Sequence, residues 1–591
     1  MRSLTKIISS LLSVVMASAL FVACGEPAPD GAVTVDFWYS ASISENKVIR
    51  EMVDTYNKGQ GKEDGVYVKP DNRQNIDRSS LFVDAPNILV VEDEMFKTWA
   101  VEDLYLDLSE YFETMPGEYT EENIPSSLTE RFRFDVADNA DGKRMAGKDA
   151  DLQGLPFGST AMVYYYSKSA FEAYGINVIS AEEEKLSELY PDVLPHGYAE
   201  YKEAPFDGAK ASKNLAGEQV YKVFNNRIPM NWEEFRYLSK CFTQKYNSSS
   251  PTELGSATHW WFSYGWSVGG DCIGYNGEKY EFTVADKTPN YLVVAPEGIT
   301  VNDRQYSAGE IIHYEDKIKT EDISSIDGVY ELPSQYEALL EFVRLSVPSD
   351  KEADSGYKGY GIGSAAGDDN SAGILAKNDV AIVAADGTQL SSADVAYKDK
   401  YDLAPATQYR EYVGGSVYYK GEETFDNEYL KVIGETYDGA EYTGELASEN
   451  GTPLVGEYAA FSGSDALVIP RRSDESKYEA AWKFIRWAAG SEGQAIYQKT
   501  GRVPNQTDLA YSEEFLSQST LNYWAFSNSV EHGDIGDWAY FENGEWVSDW
   551  SELFNNQLRV GIYSISDFMD KKADEANEAI GDVKIVLNGR R

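Results

Sequence analysis

The sequence AAFSGSDALVIPRRSDESKYEAAWKFIRWAAGSEGQAIYQKTGRVPN, from Ala459 to Asn505, carries the pattern of a strand, two helices and a closing turn. The apolar run from Ala466 to Ile469 ends at Pro470, which has no backbone N–H for a strand ladder, so the run predicts a buried strand. Apolar residues then recur three and four positions apart, as on one face of a helix: Tyr478, Ala481, Trp482, Ile485, Ala488 and Ala489. A strand followed by an amphipathic helix predicts part of an α/β domain.

The ends of both helices are marked by residues that stop or cap a helix. Gly490 ends the first helix, and Gly501 with Pro504 stops the second. Ser491 and Gln494 have the spacing of a capping box, in which the serine oxygen accepts the glutamine N–H and the glutamine side chain returns the bond. The sequence therefore predicts a reciprocal side-chain cap at the start of the second helix.

The composition indicates a large, acidic, globular chain. Its 591 residues, of which 42% are hydrophobic, suffice for two or more domains with full cores. The 98 acidic and 52 basic residues give a formal charge of −46, which repels phosphate backbones and anionic lipid surfaces. The charge argues against nucleic acid as a partner and favours a solvated exterior.

The N-terminal segment has the features of an export signal followed by an anchor. Residues 1–23 combine a basic start with an apolar stretch that is too short and interrupted to span a membrane stably, which predicts a signal peptide. The sequence FVAC at 21–24 resembles a bacterial lipobox, and this resemblance implies that Cys24 is lipidated. Residues 24–32 are then a lipidated, flexible tether, and the protein is expected on the outer face of the cell membrane.

Neither the cysteines nor the histidines predict a metal site. An exported chain permits a disulfide between Cys241 and Cys272, but nothing in the sequence brings them together, and free buried thiols are favoured. The four histidines are scattered outside any Cys/His cluster, and no EF-hand loop is present in the sequence. We therefore expect no metal and no other cofactor.

Several further segments have recognisable patterns and follow one another in a fixed order. They are the strand VTVDFWY at 33–39 with a helix capped by Ser42 and Glu45, DAPN at 84–87 before an apolar strand, LPFGST at 155–160, PMNWEEF at 229–235 with a cap formed by Asn231 and Glu234, a helix capped by Ser334 and Glu337, the aromatic run HWWFSYGWSVGGD at 259–271, and NDVAIVAADG at 378–387. Together with the stretch from Ala459 to Asn505, these segments resemble family 1 extracellular solute-binding proteins, the maltose-binding-protein-like receptors of ABC sugar importers.

The resemblance implies an α/β, two-lobed periplasmic-binding-protein-like fold of type II, with a ligand cleft between the lobes. Three hinge crossings are expected, near 157–163, 459–463 and 504–508. The first lobe is expected over 33–158 and 461–505, and the second over 159–460 and 506–591, with insertions near 277–330 and 411–456. A third aromatic-rich segment covers 522–550.

The resemblance also implies a function. Such a receptor closes around a carbohydrate, here expected to be an oligosaccharide, and delivers it as a monomer to the transmembrane subunits of an ABC permease, without catalysis. The ligand is expected to contact loops at the interlobe ends of strands, where aromatic rings stack on sugars and carboxylates accept hydrogen bonds from hydroxyl groups. The candidate residues are Tyr39, Ser40, Glu94, Thr160, Trp260, Trp261, Trp266, Asp386, Gln389 and Trp524.

Other classes of protein stay open on the residues alone. GWSVG at 265–269 matches the G-x-S-x-G elbow of hydrolases, with Ser267 as nucleophile and His313 or His532 downstream in the required order. Short motifs of small residues arise by chance in a Gly-rich chain, and no clear helix follows Gly269. The abundance of acidic residues also leaves a two-carboxylate glycosidase open. The aromatic insertions favour a further alternative, a noncatalytic surface adhesin.

Overall fold

The coordinates are those of a computed structural model. The structure describes residues 28–117, 119–258, 262–275, 279–289, 291–294, 298–301, 304–313, 329–364, 371–387, 399–413, 416–419, 422–426, 436–437, 440–441, 452–534, 536, 540–541, 550–551, 553–581 and 585–588.

Two main sheets organise the described chain. In chain order, their strands are β1 (Val33–Tyr39), β2 (Val66–Asn72), β3 (Ile88–Glu92), β4 (Leu155–Ala161), β5 (Val163–Ser167), β6 (Leu254–Ala257), β7 (Gly363–Ser364), β8 (Val380–Ala385), β9 (Tyr401–Ala404), β10 (Ala460–Val468) and β11 (Gly533–Asp534). The chain passes from the first sheet to the second at Met162, between β4 and β5.

The first sheet has the order β2-β1-β3-β10-β11, and β4 also pairs with β10. Strands β1, β2 and β3 are parallel to one another, whereas β10 is antiparallel to both β3 and β4. The register places Glu92 opposite Asp465 and Thr160 opposite Gly463. These pairings bring the carboxyl ends of β3 and β4 to the same edge of the sheet.

The second sheet has the order β7-β6-β8-β5-β9. Strands β6, β7 and β8 are parallel, and β5 runs antiparallel to β8 and β9. Strand β8, Val380–Ala385, is buried at every position, as expected for a strand covered on both faces.

Helices cover both sheets. The main helices are α1 (Ile43–Lys58), α2 (Asp93–Val101), α3 (Trp232–Cys241), α4 (Phe262–Ser267), α5 (Gln335–Ser346), α6 (Tyr478–Ala489), α7 (Ser491–Tyr497), α8 (Trp524–Glu531) and α9 (Ile565–Ile580). Shorter helices cover Gln60–Asp64, Arg78–Val83, Ser109–Thr114, Ser126–Thr129, Lys168–Tyr174, Glu183–Leu189, Ser371–Lys377, Thr507–Ala510 and Glu513–Leu516, with 3-10 turns at Glu475–Lys477 and Gln498–Thr500 and a π-helical turn at Phe554–Leu558.

Smaller sheets account for the remaining strands. One contains Ile176–Ile179, Tyr198–Tyr201, Ser212–Lys213 and Gln219–Asn225, and another pairs Arg144–Gly147 with Ile585–Asn588. Within 277–330, the described strands are Tyr280–Phe282, which pairs with Ile273–Tyr275, then Tyr291–Val294, Ile299–Val301, Arg304–Tyr306 and Ile311–His313, with Val329–Glu331 at the boundary. The others are Glu352–Asp354, Tyr357–Lys358, Arg410–Val413, Ser416–Tyr419, Glu422–Asp426, Thr436–Tyr437, Ala440–Glu441 and Thr452–Val455.

The stretch from Ala459 to Asn505 folds as a strand and two helices. Its strand β10 begins at Ala460, earlier than the apolar run predicts, because the polar part pairs with β4 and β11. Helix α6 presents Phe484 to the first sheet, where its ring centroid lies 5.2 Å from that of Phe37 and 5.1 Å from that of Tyr56 on α1. The predicted amphipathic helix is therefore confirmed, and it covers one face of the first sheet together with α1.

Three of the four predicted capping boxes are present. The pairs Ser42 with Glu45, Asn231 with Glu234, and Ser334 with Glu337 each make both reciprocal bonds. The predicted box of Ser491 and Gln494 is wrong, because the N-cap of α7 is Gly490 and no side chain caps it. The Gln494 amide is buried instead, where it donates to Phe157 O at 2.8 Å and Ala488 O at 3.1 Å and accepts the Asn505 N–H at 3.0 Å.

Cys241 and Cys272 are buried thiols that form no disulfide, as the sequence favours. Among the residues that the structure describes, no helix has the length and apolar character needed to cross a bilayer. Cys24 and the signal segment lie outside the described residues.

Candidate functional site

In each sheet, the edge at which the parallel strands have their C-terminal ends is called the carboxyl edge. The carboxyl edges of the two sheets meet at one point. Thr160 lies opposite Gly463, beyond the end of β3, and so at the carboxyl edge of the first sheet. Gly387 follows β8 at the carboxyl edge of the second sheet, and its N–H donates to Thr160 Oγ1 at 3.0 Å. Open α/β sheets receive ligands outside the carboxyl ends of their strands. The two edges therefore define one candidate ligand site.

Close approach of backbone explains the glycine at this meeting point. A Cβ on Gly387 would lie 2.7 Å from Thr160 Oγ1 and 3.4 Å from the ring of Phe526 on α8. The carbonyl of the neighbouring Asp386 accepts the Tyr165 hydroxyl at 2.8 Å, which ties the turn to β5. The half-buried Asp386 side chain thus sits on a fixed turn beside Thr160.

On the first sheet, the predicted site residues differ in exposure. Tyr39 is buried, its hydroxyl donates to Asn46 Oδ1 at 2.7 Å, and burial raises the pKa of that hydroxyl to about 12. Ser40, directly after β1, is exposed. Glu94 is exposed in the first turn of α2, directly past β3. Ser40 and Glu94 therefore leave polar groups open at this edge.

The predicted aromatic residues have different environments. Trp266 is buried in α4 and belongs to the hydrophobic core. Trp524 is half-buried at the start of α8, and the Arg227 guanidinium lies 5.8 Å from its ring centroid. Trp260, Trp261 and Gln389 lie outside the described residues.

A charged bridge at the first edge was not found from the sequence. Arg502 Nε lies 2.9 Å from Glu45 Oε1, and Arg502 NH1 lies 3.1 Å from Asp465 Oδ2. Burial raises the pKa of Asp465 to about 6, although the Arg502 charge acts to lower it. Glu45 and Arg502 lie in distant parts of the chain, so no local pattern could have paired them.

A second charged group fills a gap in the first sheet. Along one side of β10, β3 pairs with 465–468 and β11 pairs with 460–461. Between them, Arg131 donates to Ser462 O at 2.9 Å and to Asp93 Oδ2 at 3.0 Å, and the Asp93 oxygen accepts the Ser464 N–H. This buried pair therefore satisfies strand groups that no neighbouring strand reaches.

The serine of the Gly-x-Ser-x-Gly motif has a structural role in the described chain. Ser267 is fully buried at the end of α4, and its Oγ accepts the Tyr409 N–H at 2.8 Å. The first three residues of the motif thus end a helix, whereas a nucleophile elbow joins a strand to a helix and exposes its serine. His532 is exposed against the ring of Tyr458, and the side chain of His313 lies outside the described residues.

Comparison with known proteins finds one family-model match. Residues 352–522 match the family model described as bacterial extracellular solute-binding protein. A search of curated proteins finds no match. The matched segment includes β8 and β9 of the second sheet and β10, α6 and α7 of the first, so it spans the meeting point of the two edges.

Solved structures match over nearly the whole chain. The cyclic α-maltosyl-1,6-maltose binding protein from Arthrobacter globiformis is 13% identical, with a TM-score of 0.50, and the match covers 93% of this chain and 99% of that one. An ABC substrate-binding protein from Listeria monocytogenes, solved in complex with cycloalternan, is 12% identical with a TM-score of 0.47, over 93% and 100% of the two chains. The sugar-binding protein MalE from Xanthomonas citri is 12% identical with a TM-score of 0.48, over 93% and 97%.

The fold is the mixed α/β, two-lobed fold of periplasmic solute-binding proteins, as the sequence motifs imply. The resemblance to extracellular solute-binding proteins is likewise confirmed, because the family match falls on the segment that joins the two sheets.

Proposed function

We propose that this protein is an exported receptor that captures a carbohydrate between the carboxyl edges of its two sheets and delivers it to an ABC permease. The observation that carries the proposal is the contact of Thr160 with Gly387, which places the two edges at one site. Two-lobed proteins hinge around a ligand between their lobes, so capture follows from closure.

The groups at the edges suit a neutral, hydroxyl-rich ligand. The carboxylates of Glu94 and Asp386 can accept hydrogen bonds from hydroxyl groups, Ser40 can both donate and accept, and the half-buried Trp524 offers an apolar ring. The formal charge of −46 disfavours anionic solutes. The Arthrobacter protein is named for an oligosaccharide, cyclic α-maltosyl-1,6-maltose, which supports an oligosaccharide here.

Within this proposal the ligand contacts the predicted residues whose side chains are exposed or half-buried, namely Ser40, Glu94, Thr160, Asp386 and Trp524. Trp260, Trp261 and Gln389 are further predicted contacts. Tyr39 and Trp266 stay predictions, and their side chains are buried in this conformation. The lobes are proposed at the predicted boundaries, 33–158 and 461–505 for the first and 159–460 and 506–591 for the second. The first sheet extends beyond these boundaries, to Ala161 in β4 and to Gly533–Asp534 in β11. The receptor is a monomer without cofactor or metal, and its contact with the membrane is a lipid on Cys24.

Binding without bond cleavage is part of the proposal. Ser267 is buried and its hydroxyl already accepts the Tyr409 N–H, so a substrate carbonyl has no path to it in this conformation. Incubation of the protein with a bound oligosaccharide should leave the sugar intact by mass spectrometry. Hydrolysis that disappears in Ser267→Ala with folding preserved would establish the hydrolase instead.

A thermal-shift screen of neutral saccharides tests the proposed function directly. A ligand that binds only the folded state raises the melting temperature, and 100-fold excess over Kd adds about 2.7 kcal/mol of stability. Calorimetry should then give a Kd that Asp386→Ala weakens, because unpaired donors remain in the cleft. Exposed Glu183→Ala on the helix Glu183–Leu189 is the control and should bind like the parent. A shift with peptides and none with saccharides would overturn the carbohydrate assignment.

The anchor is tested separately from the site. Cys24→Ser should release the protein from the membrane fraction, because acyl chains supply the proposed membrane affinity. Fractionation identical to that of the parent would contradict lipidation and leave the ligand site unaffected.

A further inference from the structure

The loop after β1 is tied to its own helix by a capping box. Glu45 Oε2 accepts the Ser42 N–H at 2.9 Å, and Ser42 Oγ accepts the Glu45 N–H at 3.3 Å. The loop is also held by Asn72, whose side chain accepts the Ala41 N–H and donates to Ala41 O, both at 3.0 Å. Ser40 therefore sits on a short loop whose geometry depends on the position of the Glu45 carboxylate.

The other oxygen of Glu45 belongs to the bridge described above. Glu45 Oε1 accepts Arg502 Nε–H at 2.9 Å, and the same guanidinium pairs with Asp465 at 3.1 Å. The three side chains are 16%, 26% and 13% exposed for Glu45, Arg502 and Asp465, so water screens them only in part. The guanidinium fork thus connects the loop to strand β10.

Asp465 is held in place by the first sheet and so anchors the bridge from Asp465 through Arg502 to Glu45. It lies opposite Glu92 on β3 and opposite Gly158 on β4, two positions from Gly463 and the meeting point of the sheets. The Tyr497 ring closes over Gly158, where an added Cβ would lie 2.2 Å from it. Strand pairing on both sides therefore prevents Asp465 from following a moving loop.

We propose that Arg502 is a positioning residue that sets the loop Tyr39–Ser42 against strand β10, so that the first-sheet side of the ligand site is shaped before ligand arrives. The relay runs from Asp465 through Arg502 and Glu45 to the Ser42 backbone. The role in ligand binding rests on the proposed function, whereas the ordering of the loop is a property of the free protein.

The relay is sensitive to pH because Asp465, at one of its ends, changes its protonation state below neutral pH. Asp465 faces Arg502, Tyr497 and the carboxylates of Glu45, Glu92 and Asp93. Burial raises the pKa of Asp465 to about 6, so acidification from neutral pH neutralises it and weakens its hold on Arg502. For Glu45, burial acts to raise the pKa, but Arg502 and Ser42 outweigh burial and lower it, so Glu45 keeps its charge over the same range.

Hydrogen exchange on the mature chain without ligand tests the proposal. Arg502→Met should increase exchange of the amides from 40 to 46 about tenfold, because the loss of a charged partner frees the Glu45 carboxylate. Arg502→Lys should recover part of this protection through its single charge, but it lacks the planar fork. Equal protection of the loop in the Met variant and the parent would overturn the proposal.

The chain offers a matched control for the same two elements. Lys499 and Glu51 form a 2.8 Å pair between the 3-10 turn Gln498–Thr500 and α1, with exposed fractions of 46% and 50%. Lys499→Met removes a charge from the same segment and should leave exchange at 40–46 unchanged. Loosening of the loop by both variants alike would show a general effect of charge loss and overturn the specific role of Arg502.

The pH profile supplies a second, independent readout. After correction for the intrinsic exchange rate, the parent loop should be less protected at pH 5 than at pH 7.5, and Asp465→Asn should abolish this difference. A pH dependence that persists in the Asn variant would contradict the relay. These measurements need no saccharide, so a failure of the ligand screen and a failure of the relay are told apart.

Discussion

Two buried arginines, one at each sheet, are held in opposite ways. The guanidinium of Arg131 is fully buried, and its five N–H groups meet Ser127 O, Asp93 Oδ2, Ser462 O, Ser462 Oγ and Gly533 O. Arg559 is equally buried, but its partners are Ser346 Oγ, Asn555 Oδ1 and Ser364 O. Among the residues that the structure describes, no carboxylate pairs with Arg559, and burial lowers its pKa to about 9.

The difference shows what a buried charge does in each sheet. Arg131 replaces missing strand contacts along β10 and is paired with the Asp93 carboxylate. Its removal therefore leaves Asp93, Ser462 O and Gly533 O without their donor. Arg559 donates to Ser364 O at the end of β7 and lies 4.8 Å from the ring centroid of Phe342. Its bonds go to neutral groups, which do not become buried charges when it is removed.

The largest expected effect comes from Arg131→Met. The change leaves the Asp93 carboxylate buried without its cation and Ser462 O and Gly533 O without donors, so the free energy of unfolding should fall by about 3 to 5 kcal/mol. Urea unfolding followed by tryptophan fluorescence measures this fall. A loss below about 1 kcal/mol would mean that the network does not support the first sheet.

In Asp93→Asn, Arg131 would be bonded only to neutral groups, as Arg559 is. The amide keeps the shape and an acceptor for Arg131 and Ser464, but it removes the counter-charge, so a loss of about 2 kcal/mol is expected. The same unfolding experiment tests it. Exposed Glu94→Gln, the next residue, is the control and should change stability by less than about 0.5 kcal/mol. Equal losses in both variants would contradict a special role for Asp93.

Asp465→Asn tests the part-buried pair of Asp465 and Arg502, whose effect on stability is expected to lie between those of Arg131 and Arg559. Because the folded-state pKa of Asp465 is raised to about 6, the folded protein holds its proton more tightly than the unfolded chain, whose value is near 3.8. This group's contribution to stability therefore declines as pH rises from about 4 to 6 and is constant outside that window. The stability of the parent minus that of the variant should follow this decline. A flat difference across the window would contradict the raised pKa.

The smallest effect is expected for Arg559→Met. Relief of the buried, unpaired charge offsets the three lost hydrogen bonds, so stability should change by less than about 1 kcal/mol. The comparison with Arg131→Met under identical urea conditions is the decisive measurement. A loss as large as that of Arg131→Met would mean that Arg559 has a strong counter-charge.

Local patterns predicted much of the architecture. Strand β1 has the predicted bounds Val33–Tyr39, and the boxes at Ser42, Asn231 and Ser334 are present, because each depends on residues within a few positions of one another. The predicted box at Ser491 failed for a tertiary reason. Gln494 is drawn into the core by Phe157 O and the Asn505 N–H, which outcompete the cap.

The candidate site was predictable only in part. Ser40, Glu94 and Asp386 could be expected at strand ends because the direction of a parallel strand follows from its pattern. Local sequence could not predict that Trp266 and Tyr39 are buried. An aromatic residue in a helix or at a strand end has the same sequence neighbours whether it packs in the core or faces a cleft. Their ligand roles, with those of the other candidates, stay predictions.

By itself, the sequence determined an acidic α/β chain with parallel strands and capped helices, whose ordered motifs resemble those of extracellular solute-binding proteins. Those features depend on residue type and short spacing, which local sterics and hydrogen bonding convert directly into strands and helix ends. Only the tertiary structure decided that Thr160 touches Gly387, that Arg131 completes β10 and that Arg502 joins Glu45 to Asp465. Each of these contacts joins residues that are far apart in the chain. A buried polar group or charge without a partner costs free energy, and only the folded geometry brings such a partner within reach.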